Sequence, residues 1–398
     1  MGQSTDHALL SPSGASRWMA CTPSARFEQQ FPDSSGAAAR EGTLAHEIGE
    51  LKVRYYADWI QNKVYGAEFD RIVAEDGKGE KFYDNAMGGY TMDYATFVME
   101  KFAEAQVITP HAELFVESWL DLSKYIVEDG GTRDIAIVCN TKLIIIDLKY
   151  GKGVEVSAFE NKQMKIYALG SLDEFDSIYD IEEVEMVIYQ PRIDNISSWT
   201  ASVKDLREWA KDELIPKAAL AFKGEGDFKP GLHCGFCRGK NRCKALADYN
   251  LEILQYEFRD SNLLEDGQIS DILNREKMLT NWLTGITEYA LIQATTHGKK
   301  WPGFKLVEGR SNRVFTDPKK VVELVTTSAG IPEDAMYNKK LIALGDVEAL
   351  LGGKKAFNAL LGEYVLKPKG KPALVPVTDK REEWSSADNA TDDFAEIE

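Results

Sequence analysis

The sequence predicts an α/β protein, a mixed central β-sheet flanked by helices, with an additional mostly helical C-terminal region. Three patterns carry that expectation. Short stretches rich in Val, Ile and Leu lie at 112–122, 133–138, 143–149 and 184–190, each of strand length. Amphipathic helical patterns precede and interrupt them at 43–60, 81–106 and 158–170. From 251 to 296 the residues Leu279, Trp282, Leu283, Ile286 and Tyr289 recur at helical spacing with no strand between them.

In chain order, Thr43 is the expected cap of a helix through Leu44, His46, Ile48, Leu51, Tyr55 and Ile60. His46 and Glu50 share one face of it. The next helix carries Tyr90, Tyr94, Phe97 and Phe102 on its apolar stripe, and Gly88-Gly89 weakens its start. The strands 133–138 and 143–149 are joined by Cys139-Asn-Thr-Lys142, a turn of hairpin length. Alternation puts Asp134, Ala136 and Val138 on one face and Leu143, Ile145, Asp147 and Lys149 on one face. Tyr150-Gly-Lys-Gly153 then turns into the 158–170 helix, where Gln163 and Tyr167 are one turn apart. Pro191 ends the 184–190 strand; 199–203 reads as a further strand and 204–222 as a helix. Residues 303–315 alternate like a strand pair, and short helices are expected from 317 to 363.

At 398 residues the chain has room for two or three domains. Its 44% hydrophobic and 28% charged content is ordinary for a globular protein. No apolar run approaches the roughly 18 residues of a membrane span. The first residues lack the basic and apolar regions of a signal peptide, and Asp6 stands where a myristoylation signal wants Ser or Thr. A soluble, intracellular protein with no membrane partner is expected. The net charge of −17 is unevenly spread. Residues 379–398 carry eight acids against Lys380 and Arg381 and are expected to be disordered. Two basic islands, 229–244 and 299–320, suit a phosphate-backbone partner; the second contains Arg310 and Arg313 as candidate DNA contacts. No Gly-x4-Gly-Lys-Ser/Thr loop occurs, which argues against an ATP-driven helicase.

Of five cysteines, Cys234, Cys237 and Cys243 sit in one ten-residue segment, and Cys21 and Cys139 stand apart. The odd count argues against a disulfide framework. Bases around the triplet favour thiolates. A fourth ligand would come from Cys21, Cys139 or His233, although Cys139 ends an apolar strand and reads as a small core residue. With no paired Cys-x-x-Cys, Cys21 plus the triplet fits an iron–sulfur cluster better than a zinc ribbon; zinc and no metal are the other readings.

Asp134 and Asp147, thirteen apart on hairpin-paired strands, can converge. Two carboxylates with the His46 imidazole form a hard-cation site suited to Mg²⁺ or Mn²⁺. A bound cation would offset the repulsion between the aspartates. A lysine two residues after such an acid, Lys149, can position a water for attack on phosphorus. The bland reading is a partly buried Asp147–Lys149 pair at a strand exit, with Tyr167 in the core and Gln163 on the surface.

Gly42-Thr-x-x-His46, Gly131-Thr-x-Asp134, Asp147-Leu-Lys149 and Gln163-x-x-x-Tyr167, in that order and bracketed by Cys21 and Cys234/237/243, resemble the PD-(D/E)XK nucleases of the RecB type. The cysteine arrangement resembles the iron–sulfur subgroup of AddB-type and CRISPR-associated exonucleases, and most of all a phage and prophage group found beside single-strand annealing proteins. The resemblance spans roughly residues 9–250. Two departures are Thr22 inserted before Pro23, and Asp147 where many relatives have Glu. It implies a restriction-endonuclease-like nuclease domain at 1–250, closed by a 4Fe–4S cluster on Cys21, Cys234, Cys237 and Cys243. A 251–378 accessory region and the 379–398 tail follow. It implies a Mg²⁺- or Mn²⁺-dependent deoxyribonuclease, a DNA exonuclease of phage recombination or DNA processing. His46, Asp134, Asp147 and the Leu148 carbonyl would bind metal. Lys149 would orient the water, and Gln163 and Tyr167 would support the motif or the substrate strand. DNA is the implied partner, with a single-strand annealing or recombinase protein beside it, in the cytoplasm of a bacterial host. Two rivals are a catalytically silent DNA-binding or loading module keeping the fold and cluster, and a structural metal-binding interaction protein.

Overall fold

The middle of the chain is dense in β-branched residues and becomes a sheet covered on both faces. A computed structural model describes residues 8–32, 36–76, 81–127, 130–252, 264–307, 317–329, 332–337, 344–351 and 353–365. Three helices lead in, α1 (Ala15–Trp18), α2 (Ser24–Glu28) and α3 (Ala37–Tyr56), followed by α4 (Asn62–Asp76) and α5 (Asn85–Ile108). The strands are β1 (Glu113–Asp121), β2 (Gly130–Val138) and β3 (Lys142–Leu148), then, after α6 (Lys162–Phe175), β4 (Glu183–Gln190) and β5 (Asn195–Ser202). They order as β1-β2-β3-β4-β5 in one five-stranded sheet among the described residues. Every pair is antiparallel except β3–β4, which is parallel and connected through α6.

The expected mixed sheet flanked by helices is therefore present. On one face Ile135, Ile137, Ile144, Ile146 and Leu148 pack with Val53, Tyr94 and Val98 of α3 and α5. On the other Ala136, Val138, Leu143 and Ile145 pack with Ile166, Leu169 and Leu172 of α6. Each fully buried isoleucine contributes about 1.5–3 kcal/mol of apolar burial, so β3, apolar on both sides, is fixed at the sheet centre. A third cluster, Leu44, Ile48, Leu51, Ile72 and Met87, joins α3, α4 and α5.

Several boundaries differ from the sequence expectation for identifiable reasons. Thr43 does not cap α3. Ala37-Ala-Ala propagates the helix back to Gly36, and the Thr43 hydroxyl donates to the Ala39 carbonyl inside it. Gly88-Gly89 lies within α5, whose cap is Asp84 accepting from the Met87 N–H. The expected 204–222 helix is α7 (Val203–Trp209), a π-turn at Ala210–Leu214 and α8 (Ile215–Lys223). Pro216, which lacks an N–H, follows the π-turn.

Beyond α9 (Lys244–Leu251), the C-terminal part is helical as expected, with α10 (Asp266–His297), α11 (Pro318–Ala329), α12 (Leu344–Leu350) and α13 (Lys354–Leu361). The expected strand pair at 303–315 does not form over its described part, 303–307, which is irregular. The rest of it, with Arg310 and Arg313, lies outside the described residues, as does the 379–398 tail. The C-terminal helices pack back on the N-terminal body twice. Gly285 of α10 stands against Asn241 of the cysteine loop, and Gly345 and Gly353 stand against Tyr90 and Asp93 of α5.

Candidate active site

The site lies where the β1–β2 ladder opens by one opposed pair without a change of register. Val116 pairs with Ile135 and Ser118 with Arg133, while the opposed residues between them, Glu117 and Asp134, leave the ladder. Glu117 has φ 45°, in the left-handed region that a residue with a Cβ enters at a cost of about 1–3 kcal/mol. The alternation of side chains breaks there. Phe115 and Leu120 of β1 both face the α6 side, and so do Arg133 and Ala136 of β2. This corrects the expected sharing of a face by Asp134, Ala136 and Val138. Asp134 instead turns to the edge of β3 and to α3. Its Oδ2 accepts from the Leu148 N–H at 2.8 Å and lies 3.2 Å from His46 Nδ1. The Leu148 carbonyl lies on the same strand edge as its N–H.

Asp147, 1% exposed at the end of β3, shares a face with Leu143 and Ile145 as expected, and that face is the one α6 covers. Gln163 lies between it and Lys149. The amide Nε2 donates to Asp147 Oδ1 at 2.9 Å, and Oε1 accepts from Lys149 Nζ at 3.0 Å, the orientation that suits both charges. Gln163 Nε2 also lies 3.4 Å from the Tyr167 hydroxyl, which accepts from it. Tyr167 is buried, and Gly131 must be glycine for it, since a Cβ there would come within 3.3 Å of the ring and 2.9 Å of Pro12. Asn161 caps α6 by accepting from the Met164 N–H, and so starts the helix one turn before Tyr167. The buried Gln190 amide holds the 151–156 loop by donating to the Gly151 and Val154 carbonyls and accepting from the Val156 N–H.

His46, Asp134, Asp147, Leu148, Lys149, Gln163 and Tyr167 thus come together. The tightest donor set is not the expected trio, however. One ligand atom each from His46, Glu117 and Asp134 lie within 4.8 Å of one another. Sequence reasoning missed Glu117. Its signal was register: once β1 and β2 pair, it opposes Asp134. Asp147 Oδ2 is buried and ion-paired with Lys149 Nζ at 2.7 Å.

The charges are arranged unequally. Burial works to raise Asp134, but His46, Lys149 and the Leu148 N–H hold its carboxyl below the usual range. Burial raises Asp147, against the pull of Lys149. Burial, then Asp134 and Glu50, push Glu117 up to about 7. Burial opposes the charge on His46, yet Asp134 overrides it and lifts the imidazole to about 9. Metal ligands must be deprotonated, so a cation binding here would have to displace the protons held by Glu117 and His46.

The four cysteines of the one-plus-three pattern line a single cavity, together with Arg17, His233 and Lys240. Cys139 lies elsewhere, in the core beside β2. Glu28, buried, ties the two halves by accepting from Arg17 Nε at 2.7 Å and from the Arg238 N–H at 2.7 Å. Thr22, the inserted residue, donates to the Glu225 carbonyl at 2.6 Å, and Arg26 to the Phe222 carbonyl at 2.6 Å. The expected thiolate character is not found. Burial raises Cys21, Cys234 and Cys237, the last up to about 12 with Glu28 adding to the rise.

Residues 7–382 match the family described as Protein of unknown function (DUF2800). The chain belongs to that family. Among solved structures, the crystal structure of SSO0001 is similar over 51% of this chain and 85% of its own, at 14% identity and a TM-score of 0.22. In this DUF2800 protein, no helix of the described residues is long and apolar enough to cross a membrane.

Chemically, the DUF2800 site combines three oxygen- or nitrogen-donor side chains with a buried carboxylate and the ammonium paired to it. Oxygen and imidazole donors in such a set are the types suited to a hard divalent cation. The cysteine cavity of the DUF2800 chain offers four sulfurs, of which no three lie mutually within 4.8 Å among the described residues. A single zinc with bonds of about 2.3 Å would draw its thiolates to about 3.8 Å of one another.

Proposed function

We propose that this DUF2800 protein is a Mg²⁺- or Mn²⁺-dependent DNA exonuclease of the RecB type, its nuclease body closed by a 4Fe–4S cluster. The observation that carries the reading is the cluster of His46, Glu117 and Asp134 beside the buried Asp147–Lys149 ion pair. A bound divalent cation supplies positive charge against the charge that develops on the phosphate oxygens. His46, Glu117, Asp134 and Asp147 hold it. Asp134 keeps its carboxylate charged through His46 and the Leu148 N–H. Lys149 Nζ carries the proton-bearing group that orients a water and steadies the phosphate, aimed by the Gln163 amide. Tyr167 and Gly131 close the inner wall and exclude bulk water.

Supporting the cluster, Cys21, Cys234, Cys237 and Cys243 share a cavity whose sulfurs are more open than zinc requires. A cluster would draw the raised thiols into the thiolate form as it binds. The six side chains of the nuclease motifs, His46, Asp134, Asp147, Lys149, Gln163 and Tyr167, present together, favour a working enzyme over the silent loading module and the structural interaction protein.

Linear and covalently closed circular duplex, incubated with Mg²⁺ or Mn²⁺, test the reading. Degradation of the linear form alone, stopped by EDTA, is the expected result. Intact linear DNA under all metal conditions would overturn it.

A further inference from the structure

A second concavity lies on another flank of α3, apart from the metal site. Lys52 and Tyr55 are six and nine residues beyond His46. At about 100° and 1.5 Å per residue they lie on other sides of the helix and roughly 9–14 Å further along. The cavity is about 310 Å³ and is walled by α3, α4 and α5. That volume is at the small end of ligand clefts, which run from about 300 to 1,000 Å³.

Its wall is a stack of rings. Tyr55 and Tyr65 are parallel at 4.6 Å and 28°, and Tyr65 continues to Phe69 at 6.0 Å and 27°. Tyr83 closes the stack edge-on to Phe69 at 5.5 Å. Inside the same wall is Lys52, 7% exposed, donating to the Gly88 carbonyl and to Thr91 Oγ1. Neither of those two acceptors is a carboxylate. Burying an ammonium on neutral acceptors is costly. Burial accordingly lowers it to about 8, with Asp93 opposing.

A planar ring and an anion are the two features this wall answers. A quaternary cation, the usual guest of tyrosine cages, would meet the Lys52 charge. An alkyl chain would leave both the rings' faces and the ammonium without a matching partner. A nucleotide satisfies both, because its base has a stacking face and its phosphate a charge.

We propose that this cavity receives one unpaired nucleobase of a DNA strand, extending the Tyr55–Tyr65–Phe69 stack, with its phosphate answered by Lys52. The strand, though not the base, rests on the nuclease reading. Because stacking is indifferent to base identity, the pocket would hold a strand of any sequence while the metal site acts on it.

The test uses the full-length protein with its metal centres as purified, in EDTA to prevent cleavage. The probes are 2-aminopurine deoxyriboside 5′-monophosphate and a single strand of about ten nucleotides carrying one 2-aminopurine, within the site sizes of stacking grooves. Quenching of 2-aminopurine fluorescence reports stacking. Wild type should quench both probes and bind the strand more tightly. Tyr65→Ala should weaken binding by roughly 5- to 150-fold. Tyr65→Phe should bind as wild type, since the ring that supports Tyr55 in the stack is kept. Lys52→Met should reduce the log–log salt slope of strand binding by about 0.7, one phosphate contact. Should Tyr65→Ala not fold, Tyr65→Leu, which keeps apolar bulk without a ring, should show the same loss. Absence of quenching in wild type, or equal affinity in Tyr65→Ala or Tyr65→Leu, would overturn the proposal. Tighter binding of the monophosphate than of the strand would overturn the assignment to a DNA strand. The two readings fail separately: Tyr65-dependent quenching stands even if no DNA is cleaved, and metal-dependent cleavage stands even if Tyr65 is indifferent.

Discussion

Glu117 is held in a left-handed backbone beside Asp134 and the His46 imidazole. Replacing it separates strain from ligation. Glu117→Gly should raise the melting temperature in EDTA by relieving about 1–3 kcal/mol of backbone strain. It should also lose most of the stabilisation that wild type gains from Mn²⁺, a contrast that thermal melts with and without the ion will read. Its pH behaviour has a definite sign. The Glu117 carboxyl rises to about 7 from an unfolded value of roughly 4.3, so the native state binds more protons in between. Its contribution is complete below the unfolded value and is lost as pH rises through 7. His46, lifted to about 9, contributes fully below roughly 6.5 and loses that as pH rises through 9. Melts in EDTA from pH 5 to 9 should therefore fall, and Glu117→Gln, which mimics the protonated carboxyl, should flatten the lower half of that fall. An unchanged pH profile would remove Glu117 from the cluster. At this scale Asp134, Asp147, Lys149 and Gln163 were legible in the sequence because spacing on short strands and one helix turn carries them. Glu117 was not, because its role depends on a pairing between strands and on a φ that no motif encodes.

Among the elements, β2 and β3 were readable from alternation, yet the alternation itself misassigned Asp134. A break in alternation shared by β1 and β2 at constant register reverses which residues face α6, and single-strand patterns cannot show a break that two strands make together. Helix starts were misread where composition outweighed a cap, as Ala37-Ala-Ala outweighed Thr43. The clasp of the N-terminal segment on the cysteine loop was legible only as four cysteines. The structure adds Glu28, which holds Arg17 and the Arg238 N–H from a buried position. Glu28→Ala should cost about 3 kcal/mol, as for a buried charge pair deprived of one partner, measurable by denaturant unfolding. For the proposed cluster, protein purified without oxygen should be brown. Cys21→Ser should bleach and destabilise it as much as Cys237→Ser, while Cys139→Ser, in the core beside β2, should leave the colour intact. Colourless protein with stoichiometric zinc would replace the cluster by zinc.

For the whole molecule, the C-terminal helices engage the preceding part of the chain at two places. The cysteine loop meets α10 through Asn241 and Gly285, with Arg242 over the Tyr289 ring at 5.8 Å, and α12 lies on α5. The hydrophobic stripe of α10 announced a helix in the sequence, but its contact with a loop some 40 residues earlier has no local signal. Phe357 of α13 is 3% exposed, whereas Leu360 is 63% exposed. Phe357→Ala should therefore cost about 3–5 kcal/mol and Leu360→Ala close to nothing, as urea unfolding will show. The central claim, that the His46–Glu117–Asp134–Asp147 junction cuts DNA with a divalent cation, is tested most directly by one rate curve. The initial rate of nucleotide release from end-labelled linear duplex is followed against Mn²⁺ concentration for wild type and Asp147→Asn. Wild type should rise from zero to a plateau, and Asp147→Asn should stay at the EDTA baseline while retaining its fold and its DNA affinity. Release by Asp147→Asn at the wild-type rate, or release by wild type that ignores Mn²⁺, would contradict the account.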